Sequence, residues 1–118
     1  MIGVFVSVTG FKPASRIKLV PFWWHTLRCL AQARRAPGNV SVSARIANDY
    51  YHTVTVWTDE NSMRAYIRDG AHRRAMLNHR SLGTGRVHHF YHGRPPSWGE
   101  AYTEWLRCAR EEIGRAHV

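Results

Sequence analysis

Residues 39–57, NVSVSARIANDYYHTVTVW, constrain what this chain can fold into more than any other stretch. Two runs, 39–47 and 50–57, alternate with the period of two that belongs to half-buried strands. Only Asn48-Asp49 separates them, and both residues tolerate positive φ. The stretch is therefore expected to form a tight antiparallel hairpin.

Two further strands flank it. Residues 2–11, IGVFVSVTGF, place Val4, Val6 and Val8 on one face and Phe5, Ser7 and Thr9 on the other. Residues 86–93, RVHHFYHG, form the fourth strand after Gly83 and Gly85. Helical periods fill the gaps. Pro21 opens PFWWHTLRCLAQARRA, whose stripe of Phe22, Trp23, Thr26, Leu27, Leu30 and Ala33 faces inward, and Pro37-Gly38 ends it. Thr58 or Asp59 caps a second helix with Met63, Tyr66 and Ile67 inward, broken at Gly70. A short helix over 71–80 then sets His72, Ala75, Met76 and His79 on one face. Ser97 and Glu100 form a capping box for a last helix, with a stripe of Trp98, Ala101, Tyr102, Trp105, Ala109 and Ile113.

The order β-α-β-β-α-β predicts an α+β, ferredoxin-like split βαβ with a four-stranded antiparallel sheet. One domain spans 1–118, with its core in 1–93 and a C-terminal helix over 97–114. The valine faces of strands one to three are expected under the helices. The opposite face then carries Phe5, Ser7, Thr9, Ser41, Ser43, Arg45, Thr53, Thr55 and Trp57, and a partner sheet is expected to cover it in a homodimer.

Composition narrows the function classes. The formal charge of +9 raises nucleic acid as a partner, but the arginines fall on the polar faces of amphipathic helices, the pattern of a solvated surface. A basic nucleic-acid binder is thus the weakest of three readings. No run of 18 apolar residues offers a membrane span. The start lacks a charged leader, and Cys29 and Cys108 belong to no metal-spaced pair, so both are expected as reduced thiols in a cytoplasmic protein. No G-x-S-x-G, P-loop or Rossmann pattern occurs, and no paired carboxylates stand where hydrolysis would need them. His88 and His92 share one strand face about 13 Å apart, and His89 points the other way. They cannot chelate one ion unaided, so no structural metal site is expected there.

Residues 52–76, HTVTVWTDENSMRAYIRDGAHRRAM, resemble the signature stretch of the antibiotic-biosynthesis-monooxygenase superfamily of dimeric α/β barrels. The carriers are a strand ending V-x-V-W, the acidic start at Asp59-Glu60, Met63, Tyr66 and the G-A-H turn at 70–72. With residues 21–38, the stretch is most similar to the spheroidene-monooxygenase-like branch, and the likeness runs from residue 1 to about 92.

The resemblance implies a homodimer with a pocket between sheet and helices that takes a small apolar or aromatic ligand. It also implies either haem or no cofactor, since the superfamily holds both kinds, along with non-catalytic members. If the haem chemistry carries over, His72 is the candidate iron ligand and the candidate acid or base. Met76 lies one turn on and is the alternative cofactor-binding position. His72 and Met76 cannot be opposite axial ligands, because one helical turn cannot reach both faces of a haem. Trp23, Leu27, Trp57, Tyr66 and His79 are the candidate pocket walls. Packing alone also accounts for the aromatic and aliphatic members, and the helix dipole for His79 near its helix end. A monooxygenase-like enzyme and a non-catalytic ligand-binding module on the same scaffold are therefore the two leading readings.

Overall fold

The computed structural model describes residues 3–13, 15, 17, 19–68 and 83–108. Its elements are β1 (Val4–Pro13), α1 (Leu19–Arg35), β2 (Asn39–Ala47), β3 (Tyr50–Trp57), α2 (Glu60–Ile67), β4 (Gly83–His92) and α3 (Trp98–Cys108). The strands form one antiparallel sheet in the order β2-β3-β1-β4. This is the expected α+β, ferredoxin-like arrangement. The expected helix over 71–80 lies outside the described residues, as does the end of the last helix beyond Cys108.

Local chemistry sets the turns and ends. Asn48 and Asp49 take φ of 50° and 69°, the left-handed pair that a two-residue hairpin needs. Gly38 follows α1 at φ +84°, where a side chain would be strained. Pro21 sits two residues inside α1 rather than at its first position, still within the turn whose N–H groups lack helical partners. Asp59 caps α2 by accepting from the Ser62 amide at 2.7 Å. The capping box of α3 closes both ways: Glu100 N donates to Ser97 Oγ at 3.2 Å, and Ser97 N to Glu100 Oε1 at 2.8 Å. Arg94 grips the same carboxylate through two 2.9 Å bonds. Its guanidinium, and then the Ser97 amide, hold the Glu100 carboxyl down to about 2. Ser97→Ala should cost about 1 kcal/mol, read as a lower urea midpoint with an unchanged slope.

The layering differs from the expectation. The valine face does not meet α1 and α2. Val6, Val8, Val54 and Val56 are buried under α3, against Ala101 and Trp105. The Phe5 face meets the other two helices instead, with Phe5 and Trp57 packed on Ala33, Met63 and Tyr66. The burial of Phe5 and Trp57 therefore needs no partner sheet. Strand register corrects the face list as well. Val42, Ala44 and Ile46 stand opposite Thr55, Thr53 and Tyr51, which puts them on the Phe5 face and sends Ser41, Ser43 and Arg45 to the other. A bulge between Asn39 and Ser41 precedes this register. Period two fixes faces within a strand, and only the pairing decides which faces coincide across strands.

Two contacts seat α3. Trp105 Nε1 donates to the Arg86 carbonyl at 2.9 Å, and the Cβ that a residue at Gly10 would carry falls 2.3 Å from the Trp105 ring. His52, 1 % exposed, lies beneath the helix among Trp98, Tyr102 and Trp105, at ring separations of 5.3, 5.3 and 4.6 Å. Neither of its ring nitrogens is hydrogen-bonded among the described residues. Burial pulls its pKa below 6.5, against a smaller upward pull from the Ala47 and Thr9 carbonyls, which fall short of hydrogen-bond geometry.

Candidate functional site

The two surfaces of the sheet are built for different purposes. Under α3 the inner strands present four valines, with His52 beside them. Under α1 and α2 the same strands present two aromatic clusters with a polar strip between them. One cluster holds Phe5, Trp57 and Tyr66; the other holds Phe11, Trp23 and Tyr51. Between them lie two cross-strand pairs, Ser7 with Thr55 and Thr9 with Thr53, and His89 beside Ser7. Ser7 and Thr55 are buried. A buried hydroxyl costs about 1–3 kcal/mol unless it finds a hydrogen bond. The opposite face instead sets Val6, Val8, Val54 and Val56 side by side at the same levels of the inner strands.

At Thr53 the strip meets a cavity of about 320 Å³ between α1 and the sheet. Trp23 and Thr26 of α1 form one side; Ala44, Arg45 and Ile46 of β2 and Tyr51, His52 and Thr53 of β3 form the other. The Trp23 and Tyr51 rings meet edge to face at 5.5 Å, which fixes the wall they share. A second cleft, of about 290 Å³, shares Ile46 and Tyr51 and runs out past Lys12 and Asp49, so the mouth carries both signs of charge.

Behind the first cluster, α1 and α2 are tied together. Gln32 Nε2 donates to the Tyr66 carbonyl and the Tyr66 hydroxyl to the Cys29 carbonyl, both at 3.1 Å. Burial pushes the Cys29 thiol up to about 11, and burial likewise raises the Tyr66 phenol. Both are neutral at pH 7, so Cys29 is no thiolate nucleophile. A wider groove of about 570 Å³, with Gln32, Arg35, Asp59 and Tyr66 on its rim, lies at the surface where these helices meet.

The sequence candidates distribute unevenly over this geometry. Trp23 lines the cavity. Leu27 does not, because α1 turns it outward to 60 % exposure, beside the equally exposed Trp24. Trp57 is fully buried, its ring 5.1 Å from that of Tyr66, and its Nε1 has no partner among the described residues. Trp57 and Tyr66 therefore wall the far end of the strip. His72, Met76 and His79 lie outside the described residues. Thr26, Tyr51 and Thr53 were missed as pocket residues. Thr53 and Thr55 were legible as polar interruptions beside Phe5 and Trp57, but were assigned to a face between two copies.

No protein-family model matches the sequence, and no curated protein matches it. Solved structures do match the fold. SnoaB, a cofactor-independent oxygenase from Streptomyces nogalater, superposes with a TM-score of 0.66 over 81 % of this chain and 97 % of its own, at 19 % identity. PA3566 from Pseudomonas aeruginosa gives 0.69 over 78 % and 96 %, at 10 % identity. A Nitrosomonas europaea protein provisionally described as an antibiotic biosynthesis monooxygenase gives 0.65 over 79 % and 91 %, at 11 % identity. The chain has the antibiotic-biosynthesis-monooxygenase fold. At these identities the likeness to the monooxygenase-like structures concerns the scaffold. Its helix layer and sheet enclose the polar strip and cavity described above. Among the described residues no helix is long and apolar enough to cross a membrane.

Proposed function

We propose that this chain binds a small, flat aromatic ligand between α1 and the sheet, and acts on it as a cofactor-independent oxygenase. The observation that carries the reading is the 320 Å³ cavity between α1 and the sheet, where the Trp23 and Tyr51 rings stand beside the hydroxyls of Thr26 and Thr53. Aromatic walls suit a planar ring system, and hydroxyls at fixed positions orient its polar substituents. SnoaB, a cofactor-independent oxygenase of the same fold, supports the reaction class.

An electron-rich phenol needs no cofactor to react with dioxygen, since it supplies the electrons itself. One oxygen atom replaces two hydrogens as a carbonyl, and the other leaves as water. The chain's part is to orient the ring and exclude water.

Haem is the second reading, and in the described lining the Tyr51 phenol is the one side chain of a haem-ligating type that faces the cavity. Trp23, Thr26, Tyr51 and Thr53 offer no imidazole, thiolate or thioether, and the ring of His52 turns to the other layer. The sequence candidates for holding haem, His72 and alternatively Met76, lie outside the described residues. Assembly as a homodimer belongs to the same proposal. Its support is the exposed stripe of Val20, Trp24 and Leu27 on the outer side of α1.

Titrating the protein with planar phenols of one to three rings should quench tryptophan fluorescence with micromolar affinity. Thr53→Phe, which fills the cavity, should weaken binding at least tenfold while the circular dichroism stays unchanged. Oxygen uptake with a bound phenol separates an enzyme from a binding module. A phenol panel that binds Thr53→Phe as well as the parent protein removes the cavity from the proposal. A Soret shift with hemin at one equivalent moves the reading to haem.

A further inference from the structure

We propose that His88, Glu104 and Cys108 form a binding site for one borderline divalent metal ion of the zinc class, bridging β4 and α3. The site lies on the α3 side of the sheet, away from the cavity, and does not depend on the oxygenase reading. Register places His88 opposite Val8, hence on the face that α3 covers. Glu104 and Cys108 are four residues apart on α3 and so share one helix face. Nε2 of His88, a carboxylate oxygen of Glu104 and Sγ of Cys108 all lie within 4.8 Å of one another, and all three residues are half-buried.

The finer geometry suits a tetrahedral ion. His88 Nε2 and Glu104 Oε2 are 3.3 Å apart. Two ligands each about 2.0–2.1 Å from a tetrahedral zinc are separated by about 3.3 Å. Sγ lies within 4.8 Å of both, against about 3.5 Å between a sulfur and a nitrogen or oxygen ligand of tetrahedral zinc. The ligands are also held from behind. Arg107 Nη2 donates to the other Glu104 oxygen at 3.1 Å, which leaves Oε2 free to face the site. The His88 ring stacks on Phe90 at 5.2 Å and 20°, which fixes the direction of its nitrogen. Such outer contacts orient ligands in metal sites. Imidazole with thiolate selects zinc, cobalt or copper over calcium and magnesium, and three protein ligands leave a fourth position for water.

A hydrogen-bonded His88–Glu104 pair is the competing account of two of the three residues. It gives Cys108 no role, and that residue decides the test. Untagged full-length protein, stripped with chelator and titrated with Co²⁺, should take up one equivalent. It should show the intense visible bands of four-coordinate cobalt and a thiolate charge-transfer band in the near ultraviolet. Zn²⁺ at a hundred times Kd should raise Tm by on the order of 5–10 °C. Cys108→Ser should abolish the charge-transfer band and weaken Zn²⁺ binding at least tenfold in competition with a chelating indicator. His88→Gln should weaken it similarly, and Cys29→Ser should leave both readouts unchanged. Three results overturn the proposal: uptake below half an equivalent at micromolar metal, a charge-transfer band retained in Cys108→Ser, or a Zn²⁺-induced Tm shift equal in Cys108→Ser and the parent.

Discussion

Trp105→Ala is expected to cost about 3–5 kcal/mol, the range for truncating a buried tryptophan. Trp105 is 2 % exposed, lies on the four inner valines, and ties α3 to β4 through the Arg86 carbonyl. Its neighbour Gly10 makes the test sharper. A Cβ at Gly10 would lie 2.3 Å from Trp105 Cζ2 and 2.9 Å from His52 Cε1. Gly10→Val should therefore destabilise the parent by about 1–3 kcal/mol through overpacking. In the Trp105→Ala background the valine enters space the indole has left, and its cost should vanish or reverse. Urea unfolding of the two single variants and the double variant measures this as a coupling energy. Additive costs would show that α3 does not seat on β1 in this way.

His52→Phe is expected to stabilise the fold by about 1–2 kcal/mol at pH 7. A buried polar group without hydrogen bonds carries a desolvation cost that an apolar ring of similar shape does not. Both ring nitrogens of His52 are in that position, and its three aromatic neighbours on α3 accept a phenyl ring equally well. The same burial sets a pH dependence. The folded pKa lies below the ordinary 6.5, so as pH falls past 6.5 the unfolded chain takes up the proton first. Stability contributed by neutral His52 is complete above 6.5 and declines below it, down through the folded pKa. His52→Phe should remove that part of the acid limb, measured as the difference between the two proteins' urea midpoints from pH 7.5 to 5. A destabilised variant with an unchanged acid limb would show that the imidazole is hydrogen-bonded in solution.

Much of the scaffold was legible in the residues. Asn48-Asp49 sets the hairpin because few residues accept left-handed φ twice in succession, and Ser97 with Glu100 marks the start of α3 by a reciprocal bond that needs only that spacing. The assignment of layers was not legible, because both faces of β1 and β3 are apolar enough to be inner ones. Volume decides between them. Phe5 and Trp57 fit beneath the small Ala33 of α1, whereas the valines and Gly10 leave room for the indole of Trp105. That matching is a property of paired elements, and no single stretch of sequence displays it.

The same limit governed the sites. His88 and His92 were recognised as facing one way, and four-residue spacing puts Glu104 and Cys108 on one side of a helix. What joins the two sets is the docking of α3 across β4, a tertiary contact without a local signature. A pocket between helices and sheet was expected, but its threonine lining was not legible for a related reason. Thr53 and Thr55 look like ordinary strand residues until β1 sets Thr9 and Ser7 against them.

The sheet order also governs how the chain reaches this state. β1 pairs only with β3 and β4, so its nearest partner begins at Tyr50, on the far side of α1 and β2. The β2–β3 hairpin closes over two residues, but β1 must wait for a long loop to close, which is slow and entropically costly. No residue of α3 helps to pair the strands, so the surface it seals is built by the sheet alone. A chain stalled or cleaved ahead of Trp98 thus presents Val6, Val8, Val54 and Val56 to its neighbours, and concentration-dependent aggregation is the hazard of that intermediate.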